Sequence, residues 1–116
     1  MEETLCSIRD IYRSIRNFEA EFQKEHALSL NEGMLLCSLK TGKYSSGEIA
    51  DMLGLTCSNA SKVIKSVEDK GLIKRMLGEG DKRQMYFCIT KAGEDKLLEI
   101  KCENAKMKAV LMEIRG

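Results

Sequence analysis

The chain has no proline among its 116 residues and no low-complexity tract. With 43% apolar and 32% charged residues, that combination excludes a disordered polypeptide and suits a helix-rich globular one. No apolar run approaches the roughly 20 residues that a membrane helix needs. No signal-peptide pattern opens the sequence either, so the expected location is the cytoplasm, with no membrane among the partners. The five cysteines (Cys6, Cys37, Cys57, Cys88, Cys102) are odd in number, widely spaced and never arranged as Cys-x-x-Cys. A disulfide framework and a structural zinc site are therefore not expected, and no metal site is assigned. Most of these thiols are expected to be small apolar fillers. His26, the only histidine, lies in a polar stretch with no nucleophile or metal partner in view, and is expected at the surface. Gly78-x-Gly80 is a hairpin turn, not a strand-to-helix phosphate cradle. Nothing here supports catalysis or a bound cofactor.

What the chain does contain is punctuation. Its length suits one domain with a single core. Ser45 through Gly54 is expected to form a short helix, opened by a Ser45/Glu48 capping box and ended by a glycine able to turn left-handed. Thr56 is placed to cap a second helix over residues 57–70, which Gly71 ends. Two short β-type runs follow, Leu72–Leu77 and Met85–Thr90, joined by the charged loop Gly78–Gln84. Helix, tight turn, helix and hairpin spell a winged helix-turn-helix: mainly α, with a small β-hairpin wing. Lys43-Tyr-Ser45 is a candidate third strand of that sheet.

Around this unit lie helices at both ends. Residues 2–25 carry Leu5, Ile8, Tyr12, Ile15, Phe18 and Phe22 at steps of three and four, an amphipathic helix of about six turns. Its wide apolar stripe exceeds what one small domain needs. Ser29 and Glu32 form a second capping box, before a helix whose Met34, Leu35, Leu36 and Leu39 are expected to be buried. In residues 91–115, Leu97, Ile100, Asn104, Met107, Leu111 and Ile114 repeat at the a/d spacing of a coiled-coil seam. A second stripe, Leu98, Cys102, Ala105, Ala109 and Met112, lies about 150° around the same helix. Two apolar faces require two covers, one from the chain itself and one from a second copy. Asn104 either fixes register against its symmetry mate or sits at the rim. The expected organisation is a single domain in which 28–90 forms the winged lobe, while 1–27 and 91–116 dimerise.

Net charge is only +1, but it is unevenly distributed. Between Thr56 and Lys91 eight basic residues face four acidic ones, giving +4, and the other 80 residues carry −3. In the fourth helix, Ala60, Val63, Ile64 and Val67 mark the inner stripe. Ser58, Asn59, Ser61, Lys62, Lys65 and Ser66 fall on the outer face, with no carboxylate before Glu68. Such a face suits double-stranded DNA. Lysines can meet guanine acceptors or phosphate, Asn59 can pair with adenine, and the serines allow deep entry into a major groove. Lys82 and Arg83 at the wing tip are placed for the narrower minor groove. Asp81 is assigned to brace Arg83 or Arg75 through a charge-assisted bond.

In this order the parts resemble the MarR family of bacterial winged-helix regulators over nearly the whole chain. The resemblance rests on Leu28-Ser-Leu-Asn-Glu32, on Leu53 through Arg75, on Asp81-Lys-Arg83, and on Ile89-Thr-Lys-Ala-Gly93. It implies a homodimer, joined by the terminal helices, that binds a palindromic operator and represses or activates nearby genes. It also implies a small-molecule effector or an oxidant as the releasing signal, with Cys6 the candidate redox residue; Cys57, at the N-terminus of the fourth helix, is a second candidate by the helix dipole alone. A thiol there would need a lowered pKa to react. Departures are a single C-terminal helix where many relatives have two, Lys62 where arginine is common, and Ser66 where a second basic residue often lies. The competing function is a winged helix that docks a protein, since the fold does not dictate its use.

Overall fold

The computed structural model describes residues 2–78, 84–101 and 112. The elements are α1 (Glu2–His26), α2 (Leu30–Leu39), α3 (Ser46–Leu53), α4 (Cys57–Asp69), β1 (Ile73–Leu77), β2 (Met85–Ile89) and α5 (Lys91–Lys101). They fall into two compact units, Met1–Leu30 with Ile100–Gly116, and Asn31–Glu99. This is a winged helix-turn-helix, mainly helical with one antiparallel hairpin. Among the described residues, no helix is long and apolar enough to cross a membrane.

The 31–99 unit closes a core of its own. Leu35, Leu36 and Leu39 of α2, Ile49 and Ala50 of α3, and Ala60, Ile64 and Val67 of α4 are all buried. Leu72, Ile73, Phe87 and Leu97 complete the buried set. Each fully buried leucine or isoleucine contributes about 1.5–3 kcal/mol relative to an exposed one. The hairpin pairs Ile73 with Ile89, Arg75 with Phe87 and Leu77 with Met85. The expected third strand reduces to one bridge: Tyr44 and Phe87 exchange two backbone hydrogen bonds of 3.2 and 2.8 Å.

The hairpin is fastened to α5 through Thr90 and Gly93. The Thr90 hydroxyl accepts from the Gly93 N–H at 3.1 Å and donates to the Gly71 carbonyl at 2.7 Å. One side chain thus caps α5 and ties it to the turn after α4. A Cβ on Gly93 would strike the Leu72 carbonyl oxygen and lie 2.6 Å from Ile89 Cγ1. Only glycine allows that approach.

Several expectations change. His26 is not at the surface: it ends α1, is buried, and stacks on Phe22 with ring centroids 4.8 Å apart. Three of the cysteines are not fillers. Cys6, Cys37 and Cys57 are exposed and Cys88 is half-buried, while Cys102 lies outside the described residues. Met34, expected to be buried, is exposed, and so is Met52 on α3. Ser66 turns inward from the outer face of α4, and its hydroxyl donates to Glu32 Oε2 at 2.8 Å. Lys70 Nζ reaches the same oxygen at 2.6 Å, so α2 and α4 are joined by a largely buried carboxylate.

The apolar surface of the 1–30 stretch is divided differently. Phe22 and Leu28 are buried, yet Leu5, Ile8 and Tyr12 remain 70, 57 and 61% exposed, and Ile15 is half-buried. Along α5 the two stripes separate. Leu97 and Ile100, expected in a dimer seam, are each 6% exposed within the single chain. Leu98, on the second stripe, is 62% exposed. Asn104, Met107, Leu111 and Ile114 lie outside the described residues.

Candidate nucleic-acid interface

The helix-turn-helix is fixed at each joint by local chemistry. At the start of α3 the Ser45 hydroxyl accepts from the Glu48 N–H at 3.2 Å, and the Glu48 carboxylate accepts from the Ser45 N–H at 3.0 Å. Gly54 ends the helix at φ 67°, left-handed, where a side chain would be strained. Thr56 then caps α4, its hydroxyl accepting from the Asn59 N–H at 3.1 Å. α3 packs on α4, and α4 on β1. The orientation of α4 is thus determined by caps at its start and by Ala60, Ile64 and Val67 beneath it.

That burial leaves the opposite arc in solvent. Ser58, Asn59, Ser61, Lys62 and Lys65 are all exposed, with Cys57 at the first helical position beside them. Lys65 approaches Asp69 only at 3.8 Å, an exposed pair one turn apart, and such pairs contribute little. Lys62 makes no ion pair among the described residues. The arc therefore offers short hydroxyls, one amide and two cations.

Between the first turn of α3, the middle of α4 and the hairpin lies an open groove of about 280 Å³. Ser46, Ser61, Lys65 and Arg75 supply its polar lining, and Ile64, Met85 and Phe87 its apolar floor. Arg75 is anchored. Its Nε and Nη2 donate to the two Glu68 carboxylate oxygens at 2.7 and 3.1 Å. Its guanidinium also sits 5.7 Å from the Phe87 ring centroid. Those hydrogen bonds hold Glu68 below the ordinary carboxylate value and hold Arg75 above its own. On the other face of the hairpin Lys43 lies over the Tyr86 ring, and the Tyr86 hydroxyl donates to Gln84.

Of the wing residues named from the sequence, Asp81, Lys82 and Arg83 lie outside the described residues. Arg75 lies in the site, and its partner among the described residues is Glu68. Sequence periodicity did not indicate Glu68, because its contact with Arg75 crosses from a helix to a strand. Cys6 is exposed on α1.

The sequence model of the MarR family matches residues 28–85, half of the chain. Over 103 residues, 84% of its length, the chain is 25% identical to YwaE of Bacillus subtilis (strain 168), an uncharacterised HTH-type transcriptional regulator. It spans 60% of that relative. The fold superposes on the transcriptional regulator BldR from Sulfolobus solfataricus with a TM-score of 0.79 and 26% identity, covering 97% of this chain and 79% of BldR. It also superposes on a point mutant of S. aureus MepR bound to an oligodeoxyribonucleotide, with a TM-score of 0.71 and 19% identity, covering 97% and 82%.

Proposed function

The chain belongs to the MarR family, and from that premise we propose that it is a transcriptional regulator whose homodimer binds a palindromic operator in duplex DNA, acting as a repressor. The observation that carries this reading is the solvent-facing arc of α4, where Ser58, Asn59, Ser61, Lys62 and Lys65 stand together on a helix held at its start by a cap. Short polar side chains let a helix approach base edges closely, and the lysines supply counter-charge to phosphate. In this reading α4 lies in the major groove, and Lys82 and Arg83 reach toward the minor groove beside it. Two copies present their helices to half-sites about one helical turn apart.

The surface that a single copy leaves uncovered supports dimerisation. Leu5, Ile8 and Tyr12 on α1, with Leu98 on α5, are large apolar side chains in solvent. A second copy would bury them. The regulator acts where the DNA is, in the cytoplasm, and a small-molecule or oxidant signal relieves it.

Selection of bound fragments from genomic DNA tests the reading, and recovery of an inverted repeat is the expected result. Lys62→Ala and Arg83→Ala should each weaken binding to the recovered site while thermal unfolding stays nearly unchanged. Undiminished affinity in both variants would exclude this docking.

A further inference from the structure

Glu68 is the first carboxylate along α4, a helix whose outer arc is small, polar or basic up to that point, and Asp69 beside it lies 3.8 Å from Lys65. An anionic side chain beside a polyanion is repulsive unless its charge is engaged elsewhere. Here it is engaged by Arg75 through two hydrogen bonds, the planar two-point geometry that arginine forms with carboxylate. Arg75 is restrained further by its register. It pairs with Phe87 across the hairpin, lies over that ring, and Phe87 itself is buried and doubly bonded to the Tyr44 backbone. Glu68 belongs to the last turn of α4, and Arg75 is the central residue of β1. Their contact therefore forms a strut between the helix and the wing, along one wall of the groove.

Resting on the DNA-binding reading, we propose that Glu68 and Arg75 are positioning residues for DNA recognition. They set the tilt of the hairpin against α4, so that helix and wing reach adjacent grooves together. Arg75 then serves through Glu68 and not as a phosphate ligand. The two roles predict opposite signs for one substitution. If Arg75 braces the wing, removing Glu68 loosens the wing and weakens binding. If Arg75 binds phosphate, removing Glu68 frees a cation and removes an anion, so binding tightens.

The experiment measures affinity for a DNA fragment selected by the wild-type protein, across a range of salt concentrations. It uses Glu68→Ala, Arg75→Ala, the double variant, Arg75→Lys and the exchange Glu68→Arg/Arg75→Glu. Each single alanine variant is expected to weaken binding by about tenfold, with the double variant no worse than either. Arg75→Lys keeps the charge but loses the two-point bond, and should behave like Arg75→Ala. The exchange should recover most of the loss, and the dependence of log affinity on log salt should not change. Glu68→Ala binding as well as or better than wild type, with a slope reduced by about 0.9 for Arg75→Ala, would overturn the proposal. Additive losses in the double variant would do so too. Melting curves identify any variant that does not fold, and the exchange variant then decides the question. Wild-type protein that selects no fragment removes the DNA reading and this proposal together; selective binding with uncoupled variants removes only the proposal.

Discussion

The 31–99 unit and α1 treat apolar surface in opposite ways. Leu35, Leu36, Ile49 and Val67 are buried within the first, and its helix α4 shows solvent small polar and basic groups until Asp69 in its last turn. α1 buries Phe22 near one end but leaves Leu5, Ile8 and Tyr12 in water over its first half. One region resembles a finished interior; the other resembles half of one. Stability and association should therefore separate in this chain: substitutions in the lobe act on unfolding at any concentration, and those on α1 act through mass action.

The sharpest way to break that contrast is Leu36→Ala. It should destabilise the lobe by about 2–5 kcal/mol, measured by urea unfolding, whatever the protein concentration. Next is Ile8→Ala, which should remove about 2 kcal/mol of burial per subunit from the association. Sedimentation should show dimers giving way to monomers, while unfolding of the monomer changes little. Unfolding losses from Ile8→Ala that persist at high dilution would merge the two regions into one.

A smaller effect concerns the Arg75–Glu68 strut. Because Arg75 lowers the Glu68 pKa, the stabilisation is present above the unfolded carboxylate value, about 4.3. It is lost as pH falls through the lower, folded value. A carbon-13 titration of the Glu68 carboxyl should show its midpoint rise in Arg75→Ala. Lys91, raised by its hydrogen bond from Nζ to Asp95 at 3.0 Å, has the opposite sign. Its contribution is complete below the ordinary lysine value and disappears as pH rises through the folded one. The smallest effect is at Ala27, which follows α1 at φ 58°. Ala27→Gly should relieve a left-handed alanine and raise stability by about 1 kcal/mol or less, read as a modest rise in melting temperature.

The ends of α3 and the start of α4 were legible in the sequence because they are written in side chains: Ser45 with Glu48, Gly54 and Thr56 each act locally. The exposed arc of α4 was legible for a related reason, since three buried positions at helical spacing fix which residues remain outside. What periodicity does not give is how wide a face is covered. Met34 adjoins buried Leu35 and Met52 lies near buried Ile49 and Ala50, yet both methionines are in solvent. Burial there depends on what stands opposite, and no spacing rule contains that. Ser66 was misplaced because Glu32, 34 residues away in sequence, draws its hydroxyl inward. The Glu68–Arg75 bond was hidden in the same way, by a partner that only the tertiary fold supplies.

Thr90 has a mechanical consequence. β2 stops at Ile89, α5 begins at Lys91, and the one residue between them grips the carbonyl of Gly71. Strand and helix therefore meet at a hinge with its pin driven through, and a torque on one must appear in the other. Two glycines inserted after Ile89 should turn that weld into a swivel, after which amide exchange in the hairpin would quicken while exchange in α5 kept its former pace.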